Sequence, residues 1–277
     1  MTHVGKRPVF GIVQGRLLRP PPGVLQWFPQ ADWEAEYYMA PAVGLDFIEI
    51  IAERQHNEGN PIWSDAGAAR IRAVAAENGL IVPTFTNDYI IDHALLGDAD
   101  VMRLNLRLIE CGARLGCTTY IFPLFEQSEM TASNAARFQG VLRETADACL
   151  ANGVQLCLET VVPGEPMMEA LAALDRPDIG VVFDTGNRGA LGHDLAGDIR
   201  KFGDRVRHVH IKDKLPTGEN VRLGTGVVDF QSVFAALADI HYDAMYTFET
   251  TRGDHPLRTA AFNVSLVRYH HAETFGT

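Results

Sequence analysis

No run of about eighteen consecutive apolar residues occurs in this sequence, so no transmembrane helix is expected. Positive charge is scarce. The 24 lysines and arginines face 35 aspartates and glutamates, for a net charge of −11. Duplex binding depends on cations that neutralise phosphates, so nucleic acid is not the expected partner. Cysteine is thin as well. Cys111, Cys117, Cys149 and Cys157 form no CxxC pair and sit in apolar or helical contexts. They read as buried free thiols of a cytoplasmic protein, and a zinc-finger reading loses its support. The opening MTHVGKRPVF lacks the long apolar core of a signal peptide, which again points to the cytoplasm and away from membranes. Nor does a Gly-rich phosphate loop follow the first strand-like run, where QGRLLRPPPG stands instead. That weighs against a doubly wound nucleotide-binding sheet.

What the sequence does contain is a repeating alternation. Strand-like apolar runs fall at 9–15, 47–51, 80–86, 118–124, 154–161, 179–186, 206–213 and 244–251. Helix-like stretches follow them at about 33–43, 65–78, 100–115, 133–152, 166–174, 195–201, 230–239 and 257–274. Several of these helices stop at a glycine, the usual punctuation before a short apolar strand. Eight strand–helix pairs in about 250 residues predict an α/β chain folded as a (β/α)8 barrel. No linker interrupts them, so residues 1–277 read as a single domain. The longest irregular stretch is 15–32, and loops of that length are often functional.

In such a barrel, alternate strand residues point inward and sites form where strands end. The fifth run ends CLET with Glu159, and the sixth ends VVFDTGN with Asp184. The seventh, HVHIKD, carries His208, His210 and Lys212 at alternate positions, and the eighth ends TFET with Glu249. Four successive strands thus each bring a metal-capable side chain to one arc of the rim. Each alone has an ordinary explanation, as a surface carboxylate, a helix cap or a satisfied core histidine. Together they raise a charge problem, because three converging carboxylates need a counter-charge. One divalent cation supplies it. Oxygen donors with one imidazole suit Mn²⁺, Mg²⁺ or Co²⁺, with Zn²⁺ also open. Val209 and Ile211, of opposite parity, are expected to pack outward.

Other positions carry a weaker signal. His208 shares the parity of His210 but lies a layer deeper, which suits a supporting role. Lys212 lies further out and reads either as a substrate contact or as a lysine paired with Asp213. Glu49, a charge inside FIEII, calls for a hydrogen-bonded task near the barrel mouth. Glu165 reads as a substrate contact or as a carboxylate at a helix N-terminus. Asn187 and His93 are candidates for substrate hydroxyls, and Gln14 and Arg16 end the first strand. The run LGTG (223–226) is either a plain turn or a phosphate seat beside the next helix.

In order, GLDFIEI, CLET, VVFDTGN, HVHIKD, LGTGVVDF and TFET resemble the xylose-isomerase-like TIM-barrel superfamily. The sugar isomerase and epimerase branch is the most similar, with ketose 3-epimerases, hydroxypyruvate isomerase and inosose dehydratase. The match covers most of the chain. The resemblance implies that Glu159, Asp184, His210 and Glu249 ligate the metal and that Glu159 and Glu249 form the acid/base pair. It also implies that Glu165 and Asn187 touch substrate, although Asn187 stands where histidine is more usual. The same superfamily includes endonuclease IV, whose extra histidines have no counterpart in IVPTFT or TYIFPL. The expected activity is therefore a metal-dependent isomerase or epimerase acting on a sugar or sugar phosphate. Protons would move next to a carbonyl through an enediolate. A dehydratase on the same site and a non-catalytic sugar-binding barrel are the alternatives, and a homo-oligomer is compatible with either.

Overall fold

A computed structural model describes residues 7–276; the opening stretch read above for a signal-peptide core lies largely outside them. The strands are β1 (Val9–Val13), β2 (Phe47–Ala52), β3 (Thr84–Asn87), β4 (Thr119–Pro123), β5 (Gln155–Glu159), β6 (Gly180–Asp184), β7 (Val206–Ile211) and β8 (Met245–Phe248). All pair in parallel in chain order, and β1 closes on β8 to complete a barrel. The helices are α1 (Trp33–Met39), α2 (Asp65–Glu77), α3 (Tyr89–Asp92), α4 (Ala99–Leu115), α5 (Gln139–Ala151), α6 (Gly164–Leu174), α7 (Thr185–Ala190), α8 (Leu195–Phe202), α9 (Phe230–Asp239) and α10 (Pro256–Phe275). Side-chain caps set several of their starts. Ser64, Asp98, Asp194 and Asp229 each accept a backbone N–H from the first turn of α2, α4, α8 and α9.

Strand alternation divides the core into two layers. Phe10, Ile12, Ile48, Ile50, Val209 and Ile211 belong to the large apolar cluster between strands and helices. Ile121, Cys157 and Val182 form a small separate cluster, reached by the opposite parity, inside the barrel. All four cysteines are buried and free. Among the described residues no helix is long and apolar enough to cross a membrane.

Three expectations on element extent need correction. The third strand is shorter than 80–86, because Pro83 has no N–H to give the ladder and Ile81 makes only an isolated bridge to Phe47. The helix expected from 133 begins at Gln139, after a 3-10 turn over Ala135–Phe138. The short helices α3 and α7 were not anticipated. Both lie directly beyond strand ends, where they shape the barrel mouth.

Candidate metal centre

The strand ladder explains why four candidate ligands separated in sequence meet at one height. Glu159 pairs with Val182, two residues short of Asp184, whereas Asp184 pairs directly with His210. His210 then pairs with Thr247, two short of Glu249. Strands in a barrel tilt across its axis, so this stagger holds the four side chains level. One donor atom from each of Glu159, Asp184, His210 and Glu249 lies within 4.8 Å of the others.

His210 organises the centre. Its Nδ1 is 3.5 Å from Glu159 Oε1 and 3.4 Å from Glu249 Oε2. Its Nε2 is 3.1 Å from Glu49 Oε1. Glu49 is fully buried, and its other oxygen accepts a hydrogen bond from Thr247 Oγ1 at 3.0 Å. Thr247 Oγ1 lies 2.8 Å from His208 Nε2, which is itself 3.3 Å from Glu49. His208 therefore supports from the deeper layer, as its parity suggested. Burial works against charge on both Glu49 and His210, and their mutual attraction prevails. Despite burial, His210 and then His208 hold the Glu49 carboxyl well below the usual range, while Glu49 and Glu159 raise the His210 imidazole well above its own.

Lys212 lines the cavity beside the acidic cluster. It is buried, with Nζ 2.6 Å from Glu249 Oε2 and 3.1 Å from Asp184 Oδ2. It is thus a counter-charge to that cluster as well as a lining residue of the cavity, and Asp213 is not its partner. Gly186 makes room for it: a Cβ there would stand 2.7 Å from Lys212 Cγ and 3.1 Å from its backbone carbonyl carbon. Burial pushes the Glu159 carboxyl up to about 7 against the pull of His210. Glu249, equally buried, is held well below the carboxylate range by Lys212 and His210.

The donor set fits a divalent cation. Both buried ring nitrogens of His210 lack a hydrogen-bond partner, and Nδ1 faces carboxylate oxygens, an arrangement that a cation between them would satisfy. The opposite ring nitrogen sits against a carboxylate, the usual support of a ligating histidine. The centre opens into a cavity of about 470 Å³ whose apolar wall includes Ile91, Pro123, Phe125 and Leu191.

The remaining expected contacts divide. Asn187 lines the cavity, but its backbone N–H and its Nδ2 each donate to Asp184 at 2.8 Å, so it orients that ligand. Glu165 is corrected: it is exposed in the first turn of α6 and pairs with Lys201, away from the cavity. His93 is also corrected, since its ring stacks on Tyr89 at 3.8 Å and its Nδ1 meets the Tyr89 carbonyl. Gln14 is buried below the mouth, where Oε1 accepts the Ile51 N–H. Glu49 lines the cavity from its floor, beside His210 Nε2. The LGTG turn offers no phosphate seat, because the Gly224 and Gly226 amides both donate to Asp213 Oδ2. Arg16 is buried, donates to the Thr250 carbonyl and comes within 3.5 Å of Glu249. The reading of the sequence passed over Gln26, Arg54, Asp88, Glu126, Glu129 and Lys214, all of which line the cavity from the segments beyond the strand ends, Glu126 from a 3-10 turn. Only the length of the 15–32 loop hinted at Gln26.

The L-ribulose-5-phosphate 3-epimerase UlaE of Salmonella paratyphi C (strain RKS4594) is 24% identical over 233 residues, covering 78% of this chain and 81% of that one. A ketose 3-epimerase of Arthrobacter globiformis is 29% identical over 159 residues, covering 52% of this chain and 53% of that one. A solved L-ribulose 3-epimerase superposes with a TM-score of 0.77 at 17% identity, covering 97% of this chain and 96% of that one. The profile of the xylose isomerase-like TIM barrels matches residues 38–268, and this chain belongs to that family.

Proposed function

We propose that this chain, as one barrel domain over residues 1–277, is a divalent-metal-dependent sugar isomerase or epimerase. It moves a proton at a carbon next to a carbonyl. The observation that carries this reading is the pair Glu159 and Glu249, set on β5 and just beyond β8 with Nδ1 of His210 about equidistant from them. Glu159, Asp184, His210 and Glu249 would hold the cation. Bound there, a divalent cation supplies Lewis-acid polarisation of a carbonyl and its neighbouring hydroxyl.

The chain's own groups do the rest. One glutamate takes the proton from the carbon and the other returns one. Return from the opposite face inverts the centre, and return to the neighbouring carbon moves the carbonyl. Two strands, β6 and β7, separate the glutamates around the rim, which suits delivery from two faces and hence epimerisation. Asn187 fixes Asp184, and the Lys212 ammonium stands where negative charge develops on substrate oxygens. The names of the similar epimerases support a ketose as substrate.

The test is a panel of ketoses and ketose phosphates incubated in D₂O with the Mn²⁺-loaded protein and followed by proton NMR. Deuterium should enter at the carbon beside the carbonyl, with appearance of the epimer. A fully metal-loaded protein that produces neither exchange nor a new sugar would refute the reading.

A further inference from the structure

The four ligands occupy one arc of the barrel mouth, from β5 to β8. In a closed ring of eight strands, β3 stands across from β7. Asp88 follows β3 directly and lines the cavity from that facing side. Its backbone N–H donates to the Ala52 carbonyl at 2.9 Å, which anchors the residue to the end of β2. Its side chain does not cap α3, although it occupies the capping position. The residue is only 3% exposed, and although the Gln26 side chain bonds to its carboxyl, Oδ2 accepts no hydrogen bond; burial and then Glu249 push the carboxyl up to about 7. A buried carboxylate oxygen without a donor is costly, and groups left in that state often await a ligand.

The charges around Asp88 indicate which ligand. Glu126 and Glu129 share the cavity wall with it. Arg54 is engaged by Asp92 at 3.1 Å and by Glu126. Lys212 is engaged by Asp184 and Glu249. With Glu126 taken by Arg54, that leaves among the described residues Lys214 as the one further lining cation, against Asp88 and Glu129. The turn amides that could seat a phosphate are bonded to Asp213. A phosphate dianion would meet repulsion on this side and few donors, whereas a sugar hydroxyl can donate to Asp88 Oδ2.

Resting on the sugar chemistry proposed above, we infer that Asp88 receives a hydroxyl at the far end of the substrate and that the site takes an unphosphorylated ketose in preference to a ketose phosphate. A sugar held by its carbonyl end at the β5–β8 arc extends across the mouth toward β3. Asp88 then acts as a substrate-binding and specificity-determining residue, and the proton transfer remains with the glutamates.

The experiment compares the wild type, Asp88→Asn and Asp88→Ala, all Mn²⁺-loaded, on ketopentoses, ketohexoses and the terminal phosphate of each. Turnover is followed by NMR and binding by calorimetry. On the wild type, kcat/KM for the free sugar should exceed that for its phosphate by about ten-fold or more. Asp88→Ala should raise KM for the free sugar by about 10–100-fold, the range of a hydrogen bond to a charged group, with kcat little changed. Asp88→Asn keeps an acceptor oxygen and should recover part of that loss, and both variants should discriminate less against phosphate. Equal or better use of the phosphate by the wild type would overturn the inference and leave the isomerase/epimerase reading standing. So would an unchanged KM in both variants. Failure of every sugar and phosphate to bind or exchange would overturn both.

Discussion

His210 offers its two ring nitrogens to different neighbours, and this division has measurable consequences. With Glu49 at Nε2, the imidazole is oriented so that Nδ1 faces the carboxylates. Glu49→Gln removes the charge that fixes this orientation without emptying the space. Metal affinity should fall by about 10–100-fold, the usual cost of losing the support behind a ligand. Titration with Mn²⁺ against a competing chelator would measure it, and a wild-type affinity would deny Glu49 this role. His210→Ala should cost more than Glu49→Gln, and His208→Ala less than His210→Ala, since His208 supports the centre from behind, through Thr247, Glu49 and the edge of the His210 ring. Strand parity made His210 and His208 legible in the sequence. It also pointed Lys212 inward, but its ion pairs with Asp184 and Glu249 depend on the register of neighbouring strands, which parity does not describe. Glu165 was misplaced because a short sequence likeness does not fix the turn by which a strand enters its helix. Asp88 stayed hidden because it lies just past the end of β3, where no local period marks which way a side chain turns.

At the scale of elements, Asp213 holds the long segment between β7 and α9. Its two oxygens accept the N–H groups of Lys214, Gly224, Gly226 and Val228. Gly226 lies so close that a Cβ would stand 2.2 Å from the Asp213 carboxylate. Asp213→Ala strands those donors and should destabilise the protein by about 2–4 kcal/mol in denaturant unfolding, with faster amide exchange concentrated in 214–228. Gly186→Ala tests a different junction, where α7 meets the Lys212 stem. It should weaken metal binding as well as stability, the latter by about 1–3 kcal/mol from overpacking. An unchanged metal affinity would separate Lys212 from the cluster. On α10, the His271 ring stacks on Phe275 at 4.4 Å, and burial lowers its pKa to about 4. The fold prefers the neutral ring. Its contribution is complete above about pH 6.5, the unfolded value, and is lost as pH falls through about 4. An NMR titration that finds His271 protonating near 6.5 would contradict this. The strand and helix order was legible because apolar period and glycine stops are local signals. The inserts α3 and α7 were not, because four to six residues cannot display a helical period.

For the whole molecule, a cation bound to four residues on four strands should stabilise the closed barrel. Adding Mn²⁺ to about 100 times its Kd should contribute about 2.7 kcal/mol, raising Tm by several degrees over chelator-treated protein. Differential scanning calorimetry with and without chelator measures this, and identical curves would remove the cation from the centre. Closure itself joins the two ends of the chain. Beyond the β1–β8 ladder, Arg16 bonds to the Thr250 carbonyl 234 residues away, and Arg252 bonds to the Gly15 carbonyl across 237. These contacts flank Glu249. The fourth ligand and the buttress of the first loop therefore arrive together, and last. At about 5–20 residues per second, a growing chain spends on the order of ten seconds with Glu159 made and Glu249 not yet added. Over that interval the nascent protein has no complete cage to fill, so the choice of metal falls to the finished chain and to whichever ions surround it then.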